Sequence, residues 1–132
     1  LMLLGGEYAG AETSATLCVR RSQPIRSGGL AGTYRLCGIG SSILGHHVRW
    51  GTATFDGSGM GSASYDHNVE GLILGPAAAD FDYAVGAESI LTVHWGDEGV
   101  PLRGIVGAGG DYIVLAGAFE NGEPAELQIL VR

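Results

Sequence analysis

The residues of this sequence whose types could do chemistry are four histidines (His46, His47, His67 and His94), two close-set aspartates (Asp80 and Asp82) and two cysteines (Cys18 and Cys37). Imidazole carries a proton or ligates a metal near neutral pH, which makes the histidines the first candidates. His46 and His47 adjoin at the start of a strand, so their side chains point to opposite faces and do not readily share one ion. A metal site would have to join His47 or His67 to a carboxylate; the ordinary reading is of surface and loop histidines. Asp80 and Asp82 share one face of a strand, where loop oxygens could complete a calcium site, although a solvated face is the ordinary reading of such a pair. There is no Gly-x-Ser-x-Gly elbow at a strand-to-helix junction, since Gly57-Ser58-Gly59 lies in a hairpin turn. The Gly-Gly pairs at 5–6, 28–29 and 109–110 lack the strand-to-helix context of a phosphate loop. No catalytic constellation assembles, so neither an enzyme nor a cofactor is expected.

The elements that must carry these residues are hairpins. Val48 to Tyr65, VRWGTATFDGSGMGSASY, reads as two strands about the turn Asp56-Gly57-Ser58-Gly59, in which Gly tolerates positive φ and Asp bonds its own backbone. Trp50 and Phe55 have opposite parity there, and a β-bulge near Gly51 would turn both indoors. Upstream, AGTYRLCGIG sets Tyr34 and Leu36 opposite Thr33, Arg35 and Cys37. Downstream, residues 66–79 read as a long connection through Asn68, Gly71, Gly75 and Pro76. Phe81, Tyr83 and Val85 then alternate with Asp82 and Ala84, and Leu91, Val93 and Trp95 with Thr92 and His94. VPLRGIV, DYIVLAG and ELQILVR follow. The period-2 pattern and turn spacing predict an all-β domain at 30–132, an antiparallel up-and-down meander closed into a barrel, or a strongly curled sandwich, of about eight strands. Closure would remove the exposed edges.

Residues 1–21 form a further hairpin, followed by a connector at 22–29 rich in Ser, Gly and Pro. Laid on 113–132, residues 1–20 match at Leu3/Leu115, Gly5/Gly117, Gly10/Gly122, Val19/Val131 and Arg20/Arg132, which reads as an internal repeat. If the two hairpins are copies, one lies outside the barrel and packs its apolar side, with Leu1, Leu3, Leu17 and Val19 as assembly residues, on another unit; the alternative is that it extends the same sheet. Cys18 and Cys37 both lie on polar strand faces on either side of the connector, which suggests a disulfide in an oxidising compartment. Closing that loop is worth roughly 3 kcal/mol in the chain-entropy account. A bridge between chains and unpaired thiols are the alternatives.

Composition bounds the partners. The 132 residues carry a net charge of −7, with seven Arg and no Lys, so nucleic acid is a poor partner. No apolar run approaches the ~18 residues of a membrane span. The chain begins without an initiator Met and is expected to be a processed or excised form. Gly is 24 of 132, yet apolar residues reach 45%, so the glycines punctuate strands instead of marking a disordered linker.

Gly32-Thr33-Tyr34 opening a strand, Gly51-Thr52-Ala53-Thr54-Phe55-Asp56-Gly57-Ser58-Gly59, Tyr83-x-Val85, Arg103-Gly104-Ile105-Val106 and the closing Val131-Arg132 resemble small secreted bacterial β-barrel domains of lipocalin-like (calycin-like) character. The resemblance covers residues 30–132 and implies a fold, a secreted or extracellular setting and the chance of tandem units, but no functional residue. An eight-stranded barrel is either packed solid or holds one small ligand. The leading expectation is a non-enzymatic extracellular assembly module that self-associates through the N-terminal hairpin into a filament or tandem array. The alternative is a binder of a small apolar ligand lined by Trp50, Phe55, Tyr83 and Trp95.

Overall fold

Alternation of apolar and polar residues over ten short segments becomes ten strands in the computed structural model, which describes residues 2–7, 13–18, 25, 27–42, 45–96, 101–117 and 125–132. β1 (Met2–Glu7) and β2 (Thr13–Cys18) pair as a separate two-stranded sheet. The other eight are β3 (Gly32–Ser42), β4 (Gly45–Phe55), β5 (Met60–Val69), β6 (Leu72–Val85), β7 (Ile90–Trp95), β8 (Leu102–Val106), β9 (Tyr112–Gly117) and β10 (Ala125–Val131). Each pairs antiparallel with the next, and β10 returns to β3, closing the barrel. The helical content among the described residues is three short 3₁₀ turns.

The strand faces follow the parity of the sequence on β3, β6 and β7. Tyr34 and Leu36, Phe81 and Tyr83, and Leu91, Val93 and Trp95 are buried inside, and Phe55 joins them from β4. Phe55 meets Tyr34, Phe81 and Tyr83 edge-on, with ring centroids 5.3, 5.0 and 5.0 Å away. Such edge-to-face contacts match the positive rim of one ring to the negative face of the next.

Two expectations are corrected. β4 pairs with β3 and β5 in unbroken register through Gly51, so there is no bulge there, and Trp50 stays on the outside while Phe55 goes in. Gly51 answers a different need: a Cβ on it would lie 2.2 Å from the Ser64 carbonyl oxygen, so the neighbouring strand leaves room only for glycine. The register shift falls instead between Tyr65 and His67, opposite Gly75-Pro76. Residues 66–79 are accordingly strand, not connection. β5 runs to Val69 and turns through Glu70 (φ 50°) and Gly71 (φ 92°), the two successive positive φ values of a tight hairpin. Of the residues that gave the stretch its loop-like composition, Gly71 sits in this turn and Gly75-Pro76 at the bulge, where a missing N–H breaks no ladder bond.

The N-terminal and C-terminal hairpins do not share a register. Leu3 stands opposite Leu17, whereas Leu115, its counterpart in the alignment, stands opposite Gln128, the counterpart of Thr16. A slip of one residue exchanges the two faces of a strand.

One end of the barrel is closed by the chain itself. The 3₁₀ turn Ser27–Leu30 packs there against the turn Ala108–Gly110, with Leu30 fully buried. Tyr34 Oη donates to the Gly110 carbonyl at 2.6 Å. Arg132 Nη2 donates to the Ala31 carbonyl at 2.7 Å and to Tyr34 Oη at 3.0 Å, with its guanidinium 5.1 Å over the Tyr34 ring. Ile25 N–H donates to the buried Ser89 Oγ at 2.9 Å. Gly32-Thr33-Tyr34 and Val131-Arg132, distant in sequence, thus meet as one latch.

Candidate ligand site inside the barrel

On β4 the residues that share the inward face of Phe55 are Ala53, Gly51, Arg49 and His47. Directly paired residues of antiparallel strands point to the same side, so Arg49 brings its partners Gly38 and His67 inside with it, and Gly38 brings Gln128. His47 and Glu126 flank this row two residues further along their strands. The barrel interior therefore changes character along its length: aromatic and packed near the Tyr34 latch, polar away from it.

Among the described residues, the polar half holds one ion pair. Arg49 Nη1 lies 3.3 Å from Glu126 Oε2, the Glu126 side chain being only 9% exposed. Gln128 Nε2 donates to the other Glu126 oxygen at 3.0 Å. The Arg49 guanidinium also stands 5.3 Å over the Tyr65 ring, and Tyr65 is 6.0 Å from the His67 ring. Burial holds the His47 imidazole below its usual pKa, and the neighbouring Arg49 charge adds to this against the opposing pull of Glu126. His47 is therefore neutral at neutral pH.

Three buried polar atoms of this cluster have no hydrogen-bond partner: His47 Nε2, His67 Nδ1 and Gln128 Oε1. Trp95 Nε1, further round the interior, is a fourth. A buried polar atom left wholly unpaired costs about 1–3 kcal/mol, so each of these atoms calls for a hydrogen-bonding group from a water or a ligand. Gly38 and Gly51 stand on the wall beside them, where the Gln128 and Glu126 side chains pack over the first and Tyr65 over the second.

The other sequence candidates are distributed differently. Phe55, Tyr83 and Trp95 are buried in the core, but Trp50 is 38% exposed on the outer surface and lines no interior. Asp80 and Asp82 face outward; Asp82 Oδ2 is 2.9 Å from His94 Nδ1, and Asp80 borders an outer groove of about 320 Å³ with Thr54, Asp56 and Met60. No group of three or more His, Cys, Asp or Glu side chains stands together as a metal site among the described residues. Cys37 is an exposed free thiol on the barrel exterior. The side chains of Cys18, Leu3 and Leu17 lie outside the described residues, as do Leu1 and Val19 altogether. Arg49, Glu126 and Gln128 were missed in the sequence, although Arg49 has the parity of Phe55 and Gln128 that of Leu130.

No protein-family model and no curated protein matches this chain. Among solved structures, it is similar to the S-type phycobiliprotein lyase CPES from Guillardia theta. The TM-score is 0.50 at 9% identity, over 80% of this chain and 89% of that one. At that identity the likeness is one of fold, and it supports a lipocalin-like barrel.

Proposed function

We propose that this protein is a non-enzymatic, lipocalin-like binder of one small, largely apolar molecule, held inside the barrel in the half that contains His47, Arg49, His67 and Gln128. The observation that carries the reading is the set of inward, buried polar atoms on β4, β5 and β10 that have no hydrogen-bond partner in the protein. A barrel that served only as a spacer would be more stable with those positions apolar. The mouths of β-barrels are usual places for small-molecule sites. The fold neighbour, named a phycobiliprotein lyase, is consistent with a barrel of this type handling a small molecule.

The test is titration with a neutral environment-sensitive dye such as N-phenyl-1-naphthylamine. Saturable binding of one dye per chain, read from the dye's own fluorescence under direct excitation and with the same affinity in Trp50→Ser, is the expected result. Absence of saturable binding, or its loss in Trp50→Ser, would overturn the reading, the latter by moving the site to the outer surface.

The assembly reading keeps one observation in its favour, the outward apolar residues Ile39, Val48 and Trp50, which neighbour one another on β3 and β4. Light scattering before and after deletion of residues 1–21 tests it. An unchanged oligomer mass would remove the hairpin as connector.

A further inference from the structure

We infer that the ligand's polar end is an uncharged hydrogen-bonding group, a hydroxyl or a carboxamide on an apolar body, bound by Gln128, His47 and His67. This rests on the reading of the barrel as a binder and deepens it.

The charges of the cluster are already matched. Arg49 is engaged with Glu126 at 3.3 Å, and Glu126 also accepts from Gln128. An anionic head would have to draw Arg49 away and strand a carboxylate whose side chain is 9% exposed. A cationic head would have to draw Glu126 away and leave Arg49 without its partner. The interior therefore offers no spare charge to either.

What it does offer are neutral donors and acceptors. Gln128 is 1% exposed; one of its two amide N–H groups donates to Glu126, and its carbonyl Oε1 is an acceptor with no donor in the protein. His47 Nε2 and His67 Nδ1 each donate or accept according to tautomer. A hydroxyl donates once and accepts, so it can satisfy Gln128 Oε1 and one imidazole N–H together. A carboxamide does the same with separate atoms. Two imidazoles alone make a poor metal site, since Glu126 is committed and no third ligand joins them among the described residues.

A matched series sharing one decyl tail separates head-group preference from tail binding: decan-1-ol, decanamide, decanoate, decylammonium and 1-chlorodecane, each competing against the neutral dye at pH 7.5. The alcohol or amide should displace dye at least about tenfold more effectively than either ion and than the headless chloride. Sites that hydrogen-bond a substrate group discriminate strongly against analogues lacking it. Gln128→Leu should lower affinity for the alcohol about tenfold and leave 1-chlorodecane unchanged; the wild-type ranking stands as a test even if that variant fails to fold. Equal displacement by all five, a preference for either ion, or displacement by none overturns the inference while dye binding still supports a binder. Failure of the dye itself to bind overturns both.

Discussion

Replacing Tyr34 by Phe removes one oxygen atom and leaves the ring that packs on Phe55 and under Arg132. That oxygen donates to the buried Gly110 carbonyl at 2.6 Å and accepts from Arg132 at 3.0 Å. Burial keeps the phenol above its ordinary pKa despite the adjacent Arg132, so it remains a donor at any working pH. Its loss leaves the Gly110 carbonyl without this donor, a cost of about 1–3 kcal/mol, and removes a bond to a charged group whose other bond, to Ala31, survives. A total of about 3 kcal/mol is a large share of the ~5–15 kcal/mol typical of domains, and lowers Tm by roughly 10 °C. Urea unfolding with unchanged m-value measures the loss directly. Because the latch and the polar cluster occupy opposite halves of the interior, dye affinity of the folded variant should equal that of the parent. A loss below about 1 kcal/mol would refute the latch as a closing device. A large fall in affinity at full folding would refute the separation of the two halves.

Two further outcomes follow from single residues. Asp56 accepts N–H bonds from Ser58, Gly59 and Met60 and a bond from the Ser58 hydroxyl, which together hold its pKa down to about 2. A folded-state pKa depressed in this way adds stability above the unfolded value of 3.8 that is lost as pH falls through about 2. Asp56→Ala should therefore melt below the parent at pH 7, with the gap closing as both are taken to pH 2, and a gap independent of pH would contradict the assignment. Gly104→Ala places a Cβ 1.7 Å from the Val114 carbonyl oxygen, where only backbone movement between β8 and β9 can relieve it. It should cost on the order of 3 kcal/mol in chemical denaturation, and a neutral outcome would show that this strand pair yields easily.

The sequence by itself determined the barrel. Period-2 alternation names the inward residues of β3, β6 and β7, and Asp56-Gly57-Ser58-Gly59 names its turn, because strand faces and tight turns are decided by neighbours within a few residues. It misread Trp50, since the size of an aromatic suggested the core while the unbroken register of β4 put its face outside. It misread 66–79 because glycine and proline at a bulge have the composition of a loop. The ligand site was less legible still. His47 and His67 could be named, but not that both turn inward, for that depends on the partner strands that set the parity of β4 and β5. Arg49, Glu126 and Gln128 come from β4 and β10, which the sequence keeps far apart and only the closure of β10 onto β3 brings within 3.3 Å. A charge inside a barrel looks like any surface charge until its partner is in place, because what makes it tolerable there is the opposite charge supplied by a distant strand.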